Sequence, residues 1–409
     1  MTQRTQREHR SSARELRGFD LLTDTDLARL ASGLVSTSYS DSAGSTHAFY
    51  HYPARFSPAV ARAVIESFSE PGDWVLDPFM GGGTTIIEGL ALGRNMLGVD
   101  LNSLAHFVTR VRTTPVTARD ERSVRAWARR CADKLRRVRD VGGSYPPITN
   151  LPGTTKRFIA DALRMSEHLQ SRKRRDLARC VLLRLGQWAL DCRDFRPPRR
   201  DRLASQLERF ADDMLVGLGE FTGLCKGAGL SPSSIARSRR LLCRNAVGLD
   251  ADSRFRTLSE RPRLVLTSPP YPSVHVLYHR WQYRGRKETA APYWIANLRD
   301  GHPESYYTGG SRTPKGRRDY FNMIASAFRS IRTFMASDGV VVQLVGFSDA
   351  ATQLPQYLRA MEEAGFEECH GVLGNTSRLG RRVPNRKWYA KLQGNLDASS
   401  ELLLVHRPV

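Results

Sequence analysis

The sequence predicts an α/β fold: a doubly wound parallel sheet that a helical insertion interrupts. Between residues 58 and 100 a helix, a strand, a glycine turn, a second helix and a second strand follow one another, which is the order of a βαβ unit. Residues 113–240 show only helical periodicity. Strand-length apolar runs resume after residue 240 and alternate with helical patterns. The α/β pattern is therefore split in two.

Each element of the α/β pattern has a local reason. Pro58 can open a helix, and apolar residues recur after it at helical spacing. The run WVLDPF has the length of a buried strand, GGGTT is a glycine loop, IIEGLAL is a helix that stops near Gly93, and NMLGVD is the second strand. The later elements are strands at RRLLCRNAV and LVLTSPPY, a helix at DYFNMIASAFRSIRTFM, a strand at VVVQLVG, a helix at PQYLRAMEEAGF and a last strand at ELLLVH.

Domain boundaries follow from changes in composition. The first 45 residues are polar, basic and rich in Ser and Thr, which predicts a flexible basic N-terminal arm with one short helix around residues 24–34. We expect one split α/β domain at residues 46–112 and 241–409. The helical insertion occupies residues 113–240.

Composition also narrows the class of protein. The chain has 409 residues, and 40% of them are hydrophobic, so it can build a core. Its 63 Lys and Arg against 41 Asp and Glu give a net charge of +22, which indicates a polyanionic partner. No apolar stretch approaches the roughly 20 residues of a membrane span, and the polar start does not resemble a signal peptide. Six scattered cysteines without a C-x-x-C pair predict neither a metal site nor disulfides, which favours a cytoplasmic location.

The string DPFMGGGTT at residues 77–85 stands where a strand ends and a helix begins. In doubly wound folds the ligand binds beyond the carboxyl ends of the strands, and glycines let the backbone approach it. This is not a dinucleotide fingerprint, because Ile86 occupies the third glycine position. Asp77 would repel a pyrophosphate and attract a cationic group, while Asp100, at the end of the next strand, suits ribose hydroxyls. Both features fit S-adenosylmethionine; the alternative is a tight turn with a solvated aspartate.

A second motif, TSPPY at residues 267–271, directly follows the strand LVL. Two successive prolines stiffen the backbone and leave carbonyl groups unpaired toward the site. The Ser268 hydroxyl and the Pro269 carbonyl can accept hydrogen bonds from an exocyclic amine, which would aim the nitrogen lone pair at a methyl donor. Tyr271 offers a flat face on which an extruded base can stack. The alternative is a proline-rich turn that leaves a strand.

Together the two motifs resemble those of the amino-methylating DNA methyltransferases, over about residues 47–112 and 241–409. DPFMGGGTT is similar to the family's cofactor motif, and TSPPY is similar to its catalytic tetrapeptide in the form found mostly in N4-cytosine enzymes. Adenine enzymes more often carry Asp or Asn at the first position. The resemblance implies a Rossmann-like, S-adenosylmethionine-dependent methyltransferase that flips a cytosine out of DNA and methylates its N4 amine.

The resemblance also implies roles for individual residues. The segment at residues 49–58 is similar to the one that covers the methionine part of the cofactor, with Tyr52 and Phe56 as lids. Where the family often has Gly-Asp-Ala before the catalytic motif, this chain has Arg244-Asn245-Ala246, which leaves a second acidic cofactor contact without its residue. The expected cofactor-binding residues are Tyr52, Phe56, Asp77, Pro78, Phe79, Gly81, Gly83, Thr84 and Asp100. The expected catalytic residues are Ser268, Pro269, Pro270 and Tyr271.

Basic residues form several clusters with aromatic residues interleaved. A single charge run is usually a solvated face, but repeated clusters at this net charge are better explained by phosphate contacts with double-stranded DNA. The aromatic residues could stack on bases or form the core of a small subdomain. The clusters lie at residues 172–175, 193–202, 237–240, 279–287, 309–318 and 378–382, and the aromatic residues are Trp281, Tyr283, Tyr293 and Trp294.

The resemblance places such an enzyme in restriction-modification or a related defence system, with a companion restriction endonuclease as a possible partner. Target recognition would fall to the helical insertion, as a DNA-recognition domain, or to the segment after Tyr271. Three alternatives stay open: N6-adenine methylation of DNA, methylation of RNA, and a basic DNA-binding module whose methylation site has decayed.

Overall fold

The computed structural model describes residues 22–35, 45–52, 57–137, 147–191, 196–258, 260–272, 275–277, 281–284, 287–299, 306–308, 313–369, 379–383 and 399–409. Within these ranges it confirms the predicted mixed α/β architecture with a mostly parallel central sheet. Phe56 lies outside the described residues, as do parts of the basic clusters after residue 192.

The first elements form the βαβ unit that the sequence predicts. Helix α2 begins at a proline that follows Ser57, and the side chain of Asn102 caps α4 by accepting hydrogen bonds from the backbone N–H groups of Leu104 and Ala105. The elements are α1 (Asp24–Val35), α2 (Pro58–Phe68), β1 (Trp74–Asp77), α3 (Thr84–Ala91), β2 (Asn95–Asp100) and α4 (Ser103–Arg112).

The helical insertion follows α4 and leads into the third strand. Its helices are α5 (Ala118–Arg137), α6 (Gly153–Ser166), α7 (Arg172–Leu190), α8 (Arg200–Gly227) and α9 (Pro232–Arg237). The longest, α8, packs against α5 and α7 with buried Leu207, Phe210 and Leu218 on its inner face.

The chain then returns to the sheet. The elements of this part are β3 (Arg239–Cys243), a 3₁₀ turn (Leu249–Ala251), α10 (Ser253–Arg256), β4 (Leu264–Thr267), β5 (His275–Leu277), β6 (Trp281–Tyr283), β7 (Lys287–Thr289), α11 (Ala291–Ala296), β8 (Tyr306–Thr308), α12 (Pro314–Arg332), β9 (Val340–Phe347), α13 (Ala350–Glu363), β10 (Phe366–Glu368), β11 (Leu379–Val383) and β12 (Ser399–Pro408).

The central sheet has the strand order β10-β12-β9-β4-β1-β2-β3, and β11 pairs with β12. Strands β3, β2, β1, β4 and β9 run parallel, whereas β12 is antiparallel to β9, β10 and β11. Successive strands are added outward on one side of β1 and then on the other. The reversal falls between β1 and β4, and a ligand crevice is expected there, beyond the carboxyl ends of these two strands.

Part of the predicted N-terminal arm belongs to the folded core. Helix α1, which the sequence predicts at residues 24–34, buries Leu30 and Leu34 against α2. Both side chains belong to a hydrophobic cluster, called here the cluster under the sheet, that includes Val64 of α2 and Val75 of β1. The interpretation of residues 1–45 as a flexible arm is therefore wrong for α1. Its amphipathic face finds an apolar partner on the chain, which composition alone does not reveal.

The helical insertion shares its hydrophobic core with the α/β part. One cluster joins Trp127, Phe158 and Leu183 of the insertion to Val108 of α4 and to Trp281 after the TSPPY motif. The end of α8 enters the cluster under the sheet through Phe221 and Cys225. The insertion thus packs onto helices α3 and α4, which flank β2. None of the described helices is long and apolar enough to cross a membrane.

Candidate active site

The ends of β1 and β4 are joined by a hydrogen bond between two buried side chains. The Thr267 hydroxyl, at the end of β4, donates to Asp77 Oδ1, at the end of β1, over 2.7 Å. The two strands pair in parallel, with Leu76 opposite Val265. DPFMGGGTT and TSPPY therefore leave the same rim of the sheet side by side, at the switch point.

Two glycines of the loop serve different purposes. Gly81, at φ +47°, donates its N–H to Asp100 Oδ2 over 2.8 Å, which ties the loop to the end of β2. Gly83, at φ +78°, lies against Thr109 of α4, and a Cβ atom there would come within 2.5 Å of the Thr109 side chain. Gly83 thus lets α3 and α4 approach each other, a role that the assignment as a cofactor contact did not include. Thr84 is buried as the first residue of α3.

Burial makes both site carboxylates reluctant to ionise. It raises the pKa of Asp77 to about 6, against the opposing hydrogen bond from Thr267. It likewise raises the pKa of Asp100 to about 6, against the backbone N–H groups of Asn102 and Gly81 that bond its oxygens. Because a nearby cation favours the charged form of a carboxyl group, a cationic ligand here would be bound most strongly by the ionised pair.

Tyr52 covers the glycine loop. A Cβ atom on Gly81 would lie 3.3 Å from the Tyr52 ring, and one on Gly82 would lie 2.9 Å from the Tyr52 Cβ atom. Tyr52 is itself buried. Pro78 is buried in the turn after β1, and Phe79 is half-buried against the cluster above the sheet.

Tyr52 belongs to residues 47–52, which we call the covering segment. Arg112, which the sequence analysis did not single out, holds this covering segment to the glycine loop. Its side chain is fully buried at the end of α4 and donates to the carbonyl groups of Gly82, His47 and Tyr50. A signal was present in the sequence, because Arg112 follows Leu104 by eight residues and so falls on the apolar face of an amphipathic helix.

The helical insertion also holds the covering segment. Gln187 of α7 accepts a hydrogen bond from the His51 N–H over 2.8 Å and donates one to the His51 carbonyl over 2.7 Å. On the other side, the His47 ring lies 2.7 Å from Glu88 of α3, and Glu88 also pairs with Arg62. Both contacts join residues distant in the chain, which is why the sequence did not reveal them.

The TSPPY motif is fixed by side chains on neighbouring elements. The Ser268 hydroxyl donates to the Tyr271 hydroxyl over 3.3 Å, and the Tyr271 hydroxyl donates to Glu401 Oε1 on β12 over 2.5 Å. Tyr320 of α12 donates to the Pro270 carbonyl over 2.7 Å. The expectation that both proline carbonyls are unpaired is therefore wrong for Pro270. Pro269 is buried, and Ser268 and Tyr271 are half-buried at the rim.

The aromatic residues after the motif belong to the core. Trp281, Tyr283 and Tyr293 are buried in the cluster shared with the insertion, and Trp294 packs against it. Trp281 Nε1 donates to the Tyr50 hydroxyl, and the Tyr293 hydroxyl accepts from Asn102, next to Asp100. Of the two alternatives, stacking on bases or forming a hydrophobic core, the second therefore holds for these aromatic residues. Trp281 contacts the covering segment, and Tyr293 contacts the end of β2.

The basic clusters are partly structural as well. Lys173 and Arg174 both pair with the buried Asp120, and Arg175 donates to the Leu169 carbonyl. Arg239 donates to the Arg110 carbonyl and to the Thr114 hydroxyl between α4 and β3, and burial lowers the pKa of Arg239 to about 10. These four cations thus have donors that serve the fold, and the phosphate-contact interpretation of the clusters stays a prediction. Arg172 is 80% exposed.

Comparison with known proteins gives a match at this part of the chain. Residues 28–107, which contain the covering segment, the glycine loop and β2, match the family model N6_N4_Mtase, described as a DNA methylase. The match covers about a fifth of the chain, and residues 28–107 are called the methylase region after this similarity. The DNA methylase region thus supplies both carboxylates at the strand ends.

Several relatives share this methylase region. The chain is 38% identical over 74 residues to type II methyltransferase M.MvaI of Kocuria varians, which covers 17% of this chain and 16% of that protein. It is 34% identical over 86 residues to type II methyltransferase M.MthZI of Methanothermobacter thermautotrophicus. That match covers 21% of this chain and 23% of the relative. It is 38% identical over 55 residues to DNA adenine methyltransferase YhdJ of Escherichia coli K12, covering 13% and 19%. The matches thus span less than a quarter of each relative.

A solved structure, TrmN from Thermus thermophilus, is similar over 87% of this chain and 49% of that one. The identity is 12% and the TM-score 0.31, which is too low to support an inference.

The methyl donor of the methylase family is S-adenosylmethionine, and the residues at the rim fit it. The molecule combines a cationic sulfonium and ammonium group with ribose hydroxyls. Two buried carboxylates stand at adjacent strand ends, and the loop between them carries Gly81 without a side chain under Tyr52. This set matches a cationic, hydroxyl-bearing ligand better than an anionic one.

Proposed function

We propose that this protein transfers a methyl group from S-adenosylmethionine to the exocyclic N4 amine of a cytosine flipped out of double-stranded DNA. The observation that carries the proposal is the 2.7 Å hydrogen bond between Thr267 and Asp77, because it sets the catalytic motif beside the methylase region. A bound donor and a flipped base would then share one crevice at the switch point.

The residues of the chain do three things in this reaction. Asp77 would attract the positive charge of the bound donor, and Asp100 would accept hydrogen bonds from its ribose hydroxyls. Tyr52, Pro78, Phe79, Gly81 and the loop up to Thr84 would form the rest of the donor site. Ser268 and the Pro269 carbonyl accept the N–H groups of the amine and orient its lone pair. When bound, the donor supplies the electrophilic methyl group. Orientation contributes to the rate, and no covalent intermediate with the protein is needed.

Tyr320 and Tyr271 keep this geometry rigid. Tyr320 holds the Pro270 carbonyl, which fixes the peptide after Pro270. The Pro270 ring fixes the φ angle between that peptide and the preceding one, so the Pro269 carbonyl keeps its direction. Tyr271 has its ring packed beside Gly346 and its hydroxyl bonded to Glu401, so the face available to a base is set by the sheet itself.

The serine at the first catalytic position supports cytosine as the target, by resemblance to the N4-cytosine enzymes. Adenine N6 is the second candidate, because one relative is named a DNA adenine methyltransferase. The names of the two type II methyltransferases support a role in marking DNA within a restriction-modification system, beside an endonuclease that cuts unmarked sites.

The test is a methylation assay on plasmid DNA with labelled donor, followed by digestion to nucleosides and mass spectrometry. We expect N4-methylcytosine, lost in Ser268→Ala and retained in the exposed control Ser205→Ala. N6-methyladenine as the sole product would overturn the cytosine assignment. Methylation of RNA but not DNA would overturn the substrate class, and absence of donor binding by calorimetry would favour a decayed site.

A further inference from the structure

Glu401 forms the end of a directed chain of hydroxyl groups that starts in the catalytic motif. Ser268 Oγ donates to Tyr271 Oη, and Tyr271 Oη donates to Glu401 Oε1. Both hydrogen bonds run in one direction, from the motif toward β12. Glu401 is 7% exposed, so its carboxylate is held inside the protein rather than in bulk water.

The sheet provides the room for this contact. Glu401 of β12 pairs directly with Gly346 of β9, so a Cβ atom on Gly346 would point to the same face as the Glu401 side chain. Such an atom would come within 2.6 Å of the Tyr271 ring. The glycine therefore leaves space in which the ring lies across β9 and brings its hydroxyl to β12.

We propose that Glu401 acts through Tyr271 and Ser268 as the terminal acceptor of the proton that the amine loses on methylation, an inference that rests on the proposed function. As the N–CH₃ bond forms and the S–CH₃ bond breaks, the nitrogen becomes cationic and the sulfonium becomes a neutral thioether. The amine proton passes to Ser268 Oγ, the Ser268 proton to Tyr271 Oη, and the Tyr271 proton to the Glu401 carboxylate. Both hydroxyls end neutral, and Glu401 ends as a carboxylic acid.

This path gives Glu401 a role that Asp77 and Asp100 do not share. Those two carboxylates stand at the ends of β1 and β2, where their charge serves a cation. Glu401 reaches the catalytic motif from the opposite half of the sheet, through β12. The residues that bind the methyl donor and the residue that accepts the proton thus lie on different strands. Single substitutions can therefore affect donor binding and proton transfer separately.

The discriminating variant is Glu401→Gln, because the glutamine carbonyl can still accept the Tyr271 hydrogen bond but cannot take up the proton. In single-turnover methylation at saturating donor and DNA, we expect a loss of about a hundredfold in rate. The donor Kd measured by calorimetry should stay within about twofold of wild type. The matched control Glu367→Gln, on the exposed face of neighbouring β10, should keep the wild-type rate.

Rates in mixtures of light and heavy water provide a readout that a structural defect would not produce. Wild type should give a curved dependence on the deuterium fraction, because several protons move together, and Glu401→Gln and Tyr271→Phe should both give a straight line. An active wild type with an equally active Glu401→Gln variant would overturn this inference alone. An inactive wild type would overturn the proposed function and this inference with it.

Discussion

Thr267 donates a hydrogen bond to Asp77 over 2.7 Å, and this contact joins two segments that lie 190 residues apart in the chain. Both residues end parallel strands that pair directly, so the bond is a consequence of the sheet order rather than of a flexible loop. It also lowers the pKa of Asp77 against the effect of burial, because a donor to the carboxylate favours its charged form.

Removing the Thr267 hydroxyl should weaken binding of S-adenosylmethionine. Thr267→Val keeps the shape of the side chain but leaves Asp77 without one hydrogen bond, so the pKa of Asp77 should rise further. Since a hydrogen bond to a charged group contributes about 1.5–3 kcal/mol, we expect a loss of affinity of about tenfold or more at pH 7.5. Isothermal calorimetry measures this, with the exposed Thr257→Val as control. Equal affinities of the two variants would contradict the assignment of Asp77.

Affinity for S-adenosylmethionine should depend on pH because the pKa of Asp77 and that of Asp100 both lie at about 6. Since each pKa is raised on folding, these groups stabilise the unliganded fold below their unfolded pKa and lose that contribution as the pH rises through about 6. A cationic ligand favours the ionised form, so binding should tighten as the pH rises from 5 to 7.5. Asp77→Asn should flatten this dependence. A wild-type affinity that is the same at pH 5 and 7.5 would contradict it.

Much of the site was predictable because its residues follow strand ends. The order of helix, strand and glycine turn places Asp77 and Asp100 at one rim of the sheet. Because the strand before TSPPY is predicted to join the same parallel sheet, its last residue, Thr267, is expected at the same rim. Gln187 and Glu401 were not predictable, because their partners come from packing between segments more than 100 residues apart. The N-terminal helix was predicted as a helix but not as core, since its apolar partner lies on α2.

Arg112 should be required for the stability of the covering segment. Arg112→Lys replaces a forked guanidinium that serves three carbonyl groups by a single ammonium group in a fully buried position. We expect a loss of about 2–4 kcal/mol in the free energy of unfolding, because buried acceptors lose their partner. Urea unfolding followed by circular dichroism checks this. The exposed Arg209→Gln should change stability by less than about 0.5 kcal/mol; a similar effect in both variants would contradict the role of Arg112.

Gly83 and Gly72 offer a matched pair for separating backbone strain from crowding. Both have φ in the left-handed region, but a Cβ atom on Gly72 meets nothing within 4 Å, whereas one on Gly83 meets Thr109 at 2.5 Å. Gly72→Ala should cost about 1–2 kcal/mol, and Gly83→Ala about 1–3 kcal/mol more. Adding Thr109→Ala to Gly83→Ala should recover part of the difference in thermal unfolding. Equal costs at the two glycines would show that crowding at Thr109 is unimportant.

Neighbouring arginines of one basic cluster should behave differently. Arg172→Gln removes a charge that is 80% exposed, and we expect unchanged stability and a decrease of about one in the slope of log affinity for DNA against log salt. Arg174→Gln removes a partner of the buried Asp120 and should cost about 1–3 kcal/mol of stability. Fluorescence anisotropy over a salt series and urea unfolding measure the two effects. An unchanged salt slope for Arg172→Gln would remove that residue from the DNA contacts.

Strand β12 has a consequence for synthesis of the protein on the ribosome. It is translated after β9, β10 and β11, yet it lies between them in the sheet and buries Leu403, Leu404 and Val405. Until residues 399–408 leave the exit tunnel, the nascent chain presents the apolar flank of β9 as an open edge, which is a site for mispairing with other chains. Translation that stops short of this strand would therefore release a product prone to aggregate.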